Sequence, residues 1–107
     1  MGDSDVLDRG YAVIRARKRE RPAGSYVVQL LDGGIEAIGA KLREESGELI
    51  EAAGQGDPAQ IAHEAADLLF HTLVLLGATD VAPAGVWAQL EKRFGVGGLT
   101  EKAARGR

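Results

Sequence analysis

A nearly unbroken apolar run from Leu68 to Leu76 is the strongest constraint on what this chain can fold into. Glu64 and Asp67 precede the run and His71 lies within it, and the three fall along one stripe at helical spacing. A helix that is apolar nearly all the way round has to be buried on more than one side. A carboxylate on such a helix is expensive to bury without a cation or a hydrogen-bond donor. The fold must therefore enclose this helix and bring positive charge to it.

The other segments also have the pattern of helices, and no segment shows the alternation or β-branched enrichment of strands. The expected order is a helix ending before Pro22, a short helix opened by Ser25, a long helix over 35–54, a helix from Pro58 to about Leu76, and a helix from about Pro83 to Gly95. Gly33 and Gly34 should close or kink the short helix. Asp57-Pro58 is a strong start signal, because Asp suits the N-cap and Pro the first helical position. The fold class is therefore all-α, a bundle of four to five helices.

Apolar residues also recur at steps of three, four and seven along the long helix. They predict that its buried stripe consists of Ile35, Ile38, Leu42, Leu49 and Ala53.

Chain length and composition limit the class of protein further. A chain of 107 residues fits a single domain, 1–107, of which 95–107 is expected to form a flexible, Gly-rich and basic tail. Without cysteine, such a small domain has no disulfide or thiolate zinc site to stabilise it. We therefore expect a homodimer, in which a second copy buries further surface. We find neither a signal peptide nor a segment of membrane-span length, which predicts a cytoplasmic protein that binds no membrane. The net charge of −3 argues against a nucleic-acid binder.

One local exception to this charge balance is a basic run near the end of the first helix. It consists of Arg15, Arg17, Lys18, Arg19 and Arg21. The run could meet phosphates, but such a run is more often a solvated helix face, and the sequence does not assign it a role.

Two pairs of acids carry the chemistry. Residues three apart on a helix lie side by side, so Glu45 and Glu48 form one carboxylate pair, and Glu64 and Asp67 form another on the next helix. Glu45 borders the apolar stripe of its helix. Both pairs therefore need cations.

Two kinds of cation could meet that need. Lys41, Arg43, Arg93 or the basic run could form ion pairs in a structural polar layer. Alternatively, an all-oxygen set of ligands without cysteine suits Mg²⁺ or Mn²⁺, which helical bundles bind through inward-facing acids. Such an ion would neutralise a phosphate chain and lower the pKa of a bound water. Spacing alone leaves the two alternatives open.

The acids stand in a longer pattern. It comprises Arg21-Pro22, Ser25-Tyr26, Leu30-Leu31, Gly34, Lys41, the block Glu44-Glu45-Ser46-Gly47-Glu48, the block Glu64 to His71, and the ending Leu99 to Ala104. The pattern resembles the phosphoribosyl-ATP pyrophosphohydrolase family, within the MazG-like all-α NTP pyrophosphatase superfamily. The resemblance covers about Tyr11 to Arg105.

The resemblance implies hydrolysis of phosphoribosyl-ATP to phosphoribosyl-AMP and pyrophosphate, the second step of histidine biosynthesis. It implies that a homodimer binds Mg²⁺, or Mn²⁺ as a substitute, through the metal ligands Glu45, Glu48, Glu64 and Asp67. Lys41 and Arg43 are then expected to bind the substrate phosphates. The expected catalytic set on the long helix is Lys41, Glu44, Glu45 and Glu48, with Glu44 as an extra base or second-metal ligand.

Two other functions fit the same residues. A house-cleaning (d)NTP pyrophosphatase would use the same acids with a different base pocket, and a non-catalytic dimerisation module would use them only for salt bridges.

Several residues of the expected helices are given no catalytic role. His71 is expected to be a buried histidine bonded to an acid, Trp87 to belong to the core, Ser25 to act only as a helix cap, and His63 and Glu51 to face solvent.

Overall fold

The computed structural model describes residues 5–95, which form four α-helices and no strand. The helices are α1 (Asp5–Glu20), α2 (Tyr26–Gln55), α3 (Pro58–Ala78) and α4 (Pro83–Phe94). The long helices α2 and α3 pack along each other, and α1 lies across both. The predicted all-α bundle is confirmed. The expected tail falls outside the described residues, apart from Gly95.

The helix ends follow the local chemistry of the sequence. The side chain of Ser25 accepts a hydrogen bond from the Val28 N–H at the start of α2, and Asp57 accepts one from Ala59 at the start of α3. Gly56 ends α2 in the left-handed conformation, with φ of 82°, which glycine adopts without strain. These boundaries agree with the predicted ones.

The predicted break at Gly33 and Gly34 takes the form of a kink. The short helix opened by Ser25 and the long helix from Ile35 form a single element, α2, kinked at Gly34. Gly34 has φ of 74° and ψ of −170°, a backbone conformation almost restricted to glycine. The glycine pair therefore redirects the chain without ending the helix.

The core lies where the first three helices meet. Its buried apolar residues are Tyr11, Ile14, Val27, Leu30, Ile38, Leu73 and Val74. On α2 the line of burial runs through Ile38, Glu45 and Ala52, at steps of seven. The predicted stripe was wrong at Ile35, which is 64 % exposed, and at Ala53, which is also exposed. At about 100° per residue, each of these positions lies about 60° round the helix from Ile38.

A close contact joins α1 to the end of α3. A Cβ atom on Gly77 would lie 2.7 Å from the Ile14 Cγ2, so only glycine permits this approach. The Lys18 ammonium donates hydrogen bonds to the Gly77 carbonyl at 2.9 Å and to Asp80 at 3.0 Å. This contact fixes α3 relative to α1.

The prediction that Trp87 belongs to the core was wrong, because Trp87 lies at the edge of the bundle. It is half-buried, and its indole N–H donates a 2.8 Å hydrogen bond to Asp8 of α1. Periodicity identified its apolar side but not this polar partner. The bond attaches α4 to α1.

The apolar helix α3 is only partly covered in the single chain. Leu73 and Val74 are buried, whereas Leu69 is 49 % exposed on another side. Contrary to the expectation from the sequence, its 21 residues are long and apolar enough, by length and composition alone, to cross a membrane. The core helix of a bundle passes the same test, and α3 also bears the two acids and the histidine described above.

Candidate active site

The packing of α2 against α3 brings the predicted acids together in two groups. On α2, Glu44, Glu45 and Glu48 each place a carboxylate oxygen within 4.8 Å of the others. On α3, Glu64 and Asp67 form a similar group with the exposed His63. His63 faces solvent as expected, yet its Nε2 lies 3.5 Å from the Asp67 carboxylate.

Glu48 connects the two groups. The pKa of its carboxyl is raised to about 7. The causes are reduced solvation, the neighbouring Glu45 carboxylate on the same helix and the Glu64 carboxylate on the facing helix. A carboxyl group responds this way when other carboxylates surround it without enough positive charge. The acids of the two helices therefore form one cluster, which we call the acidic centre: Glu44, Glu45, Glu48, Glu64 and Asp67.

Two members of the acidic centre are buried with an oxygen left unsatisfied. Glu45 is 5 % exposed and Glu64 is 9 % exposed. Glu64 accepts a 2.8 Å hydrogen bond from the Gln60 side chain, and Glu45 lies 3.7 Å from the Lys41 ammonium. The second oxygen of each carboxylate has no hydrogen-bond partner within residues 5–95. Buried carboxylate oxygens without a partner are costly, and a cation would relieve that cost.

Within residues 5–95, Lys41 is the cation that contacts the acidic centre. Its ammonium donates a 2.9 Å hydrogen bond to Glu44, and that contact is the main cause of the raised pKa of Lys41. Among the described residues, neither Arg43 nor Arg93 forms an ion pair. Three members of the basic run, Lys18, Arg19 and Arg21, pair with acids outside the acidic centre. One lysine does not balance five carboxylates, so the residues fit a hard divalent cation better than a layer of ion pairs.

His71 is buried beside the acidic centre, but its hydrogen bonds differ from the expected ones. Its Nδ1 lies 2.8 Å from the Asp67 backbone carbonyl, and its Nε2 lies 2.9 Å from the Tyr26 hydroxyl. A carbonyl only accepts, so Nδ1 carries the proton and Nε2 accepts from the tyrosine. Both nitrogens are thus engaged, and the predicted bond to an acid side chain was wrong.

Two residues near the centre were given no role from the sequence. Gln60 stands four residues before Glu64 on one helix face, a spacing that could have revealed it. Tyr26 is 45 residues from His71 in the chain, and no local pattern indicates that contact. Glu51, expected to be solvated, is exposed.

The fold and the acidic centre together define a class: a small all-α bundle in which two neighbouring helices present clustered carboxylates suited to a divalent cation. Comparison with known proteins narrows the class. The phosphoribosyl-ATP pyrophosphohydrolase family matches residues 7–94, which is most of the chain. The chain belongs to this family.

Relatives of similar length carry the corresponding name. The phosphoribosyl-ATP pyrophosphatase of Parvibaculum lavamentivorans is 49 % identical, over 97 % of this chain and 95 % of its own length. That of Geobacter sulfurreducens is 48 % identical, over 94 % of each chain. That of Rhodopirellula baltica is 48 % identical, over 92 % of this chain and 85 % of its own.

Proposed function

We propose that this chain hydrolyses phosphoribosyl-ATP to phosphoribosyl-AMP and pyrophosphate, the second step of histidine biosynthesis, with Mg²⁺ bound at the acidic centre. Family membership over residues 7–94 supports the substrate. The observation that supports a bound metal is the pair of buried oxygens without a partner on Glu45 and Glu64. Both carboxylates lie close enough to Glu48 to raise its pKa. Clustered carboxylates that lack enough lysine or arginine partners repel one another, and a bound divalent cation offsets that repulsion.

Glu45, Glu48, Glu64 and Asp67 would hold the ion, and Mn²⁺ has the same preference for oxygen ligands. The chemistry that Mg²⁺ supplies when bound is charge neutralisation of the phosphate chain and a lowered pKa of bound water. Glu44 would serve as an additional base or as a ligand of a second ion. Its carboxylate belongs to the same group of oxygens and stays half-solvated, so it remains free to accept a proton.

Lys41 would stabilise the negative charge that develops on the leaving pyrophosphate. Its ammonium holds Glu44 and approaches Glu45, so it is already placed at the edge of the acidic centre. Arg43 is exposed and unpaired within the described residues, and it would bind the outer phosphates of the substrate.

Pyrophosphate release tests this function directly. The wild type should release pyrophosphate from phosphoribosyl-ATP only when Mg²⁺ or Mn²⁺ is present. Glu48→Gln and Asp67→Asn should lower kcat/KM at least about 100-fold, because loss of an outer-sphere partner alone costs 10- to 100-fold. The matched control is Glu51→Gln, an exposed acid one turn beyond Glu48 on α2, which should retain full activity.

Two outcomes would contradict the proposal. Faster release from dUTP, dCTP or another nucleotide of a (d)NTP panel would assign the chain to nucleotide house-cleaning. Loss of helicity in Glu48→Gln and Asp67→Asn, with activity per folded molecule intact, would make the acids structural and the protein a helical dimerisation module.

We also propose that two copies of the chain pair in the cytoplasm. The support is the apolar surface left on the helices, with Leu69 of α3 and Ile50 of α2 both exposed. A solution mass of twice 11.3 kDa is expected by light scattering, and a mass of 11.3 kDa would refute the dimer.

A further inference from the structure

A cavity outside the acidic centre lies between the end of α1 and the start of α2. Its volume is about 380 Å³, and it is lined by Arg17, the loop 22–24, and Ser25, Tyr26 and Val27. None of the lining residues in the described part of the chain is acidic. An arginine in a cavity free of acids is suited to an anion.

Arg17 differs from its neighbours in the basic run. Three of those neighbours are paired with acids: Lys18 with Asp80, Arg19 with Glu20 and Arg21 with Asp32. Arg15 and Arg17 form no ion pair within residues 5–95. Arg15 is exposed, whereas Arg17 is half-buried and lines the cavity. Arg17 is therefore the member of the run that combines a free guanidinium with this cavity.

The opposite wall of the cavity adds hydrogen-bond donors. Tyr26 and Val27 belong to the first turn of α2, where backbone N–H groups have no acceptor within the helix. The Ser25 hydroxyl oxygen accepts from the Val28 N–H, which leaves its proton free to donate. A guanidinium, a hydroxyl and free N–H groups together suit a group with several acceptor oxygens and negative charge, such as a phosphate monoester.

Tyr26 links the cavity to the acidic centre. It lines the cavity, while its hydroxyl donates to His71, and His71 is bonded to the backbone of Asp67. Tyr26 also lies near enough to Lys41 to contribute to the raised pKa of that lysine. A single substrate could therefore reach both places on either side of this tyrosine.

We infer that this cavity binds the phosphate of the substrate's phosphoribosyl arm and that Arg17 determines specificity for it. The inference rests on the proposed function, since phosphoribosyl-ATP carries anionic groups at two ends. The acidic centre, with its metal, would take the triphosphate. The cavity takes the second phosphate, which ATP and other nucleoside triphosphates lack.

The test removes the charge of Arg17 from the protein and, separately, the arm's phosphate from the substrate. Wild type, Arg17→Gln and Arg19→Gln are compared on phosphoribosyl-ATP and on N1-ribosyl-ATP, the same molecule without the arm's phosphate. The wild type should prefer phosphoribosyl-ATP roughly 10- to 100-fold in kcat/KM, the usual worth of a charge-assisted hydrogen bond. Arg17→Gln should lose that preference while its activity on N1-ribosyl-ATP stays unchanged. Arg19→Gln removes the same charge about half a turn further along the same helix, and this variant should keep the preference.

Each other outcome has a definite meaning. A wild type without the preference, or an Arg17→Gln variant that retains it or loses activity equally on both substrates, overturns the assignment of the cavity. If Arg17→Gln fails to fold, Arg17→Lys replaces it, and it should lower the preference because an ammonium cannot reproduce the two-donor contact of a guanidinium with a phosphate. A wild type that releases no pyrophosphate from phosphoribosyl-ATP overturns the proposed function as well, which separates the two failures.

Discussion

Replacing Tyr26 by phenylalanine removes one oxygen atom and tests the hydrogen-bonded link beside the acidic centre. The hydroxyl donates at 2.9 Å to the Nε2 of His71, a side chain that is 5 % exposed. Without it, a buried nitrogen acceptor loses its partner, which costs about 1–3 kcal/mol of unfolding free energy. Each kcal/mol lowers the Tm of a domain of this size by about 4–8 °C.

Tyr11→Phe is the matched control, because it removes the same atom from the same residue type. The Tyr11 hydroxyl is buried without a hydrogen bond within the described residues, so its loss should leave the Tm unchanged or raise it. Its neighbour Arg15 is exposed, so its guanidinium stays solvated in the variant. The assay is thermal unfolding followed by circular dichroism, without metal and at one protein concentration. Equal destabilisation of the two variants would refute the reasoning.

Three further predictions concern the acidic centre and the packing around it. Because the pKa of Glu48 is raised from 4.5 to about 7, the folded protein holds a proton that the unfolded chain has released, so the metal-free Tm should fall as the pH rises through that window. Glu48→Gln should remove this dependence, and a wild-type Tm that rises across the same window would contradict it. Mg²⁺ at about 100 times its Kd should raise the free energy of unfolding by about 2.7 kcal/mol and therefore raise the Tm. The double variant Glu45→Gln/Glu64→Gln should show no such increase in Tm when Mg²⁺ is added. Gly77→Ala should lower the free energy of unfolding, measured with denaturant, by about 1–3 kcal/mol, because its Cβ would lie 2.7 Å from the Ile14 Cγ2. An unchanged denaturation midpoint would show that α1 adjusts freely.

Helix ends could be predicted because they depend on a few adjacent residues. Asp57-Pro58 and Gly56 set their boundary through local hydrogen bonds and backbone preferences, and the structure has the boundary there. The effect of Gly34 was less predictable, since a glycine pair permits either a kink or an end and the choice depends on packing.

The acidic centre was predictable to the extent that it follows helical spacing. Glu45 with Glu48, and Glu64 with Asp67, are neighbours on any helix. Contact between the two pairs depends on how α2 packs against α3, which spacing does not specify. The cavity beside Arg17 depends in the same way on the angle between α1 and α2, so the basic run could not be interpreted from its charge alone.

A crystal soaked with Mn²⁺ tests the central claim most directly, because anomalous scattering locates the ion without reference to activity. The account predicts a peak between α2 and α3, with carboxylate oxygens of Glu45, Glu48, Glu64 and Asp67 about 2.0–2.3 Å away. A peak elsewhere, or none at Mn²⁺ concentrations that support catalysis, would contradict it.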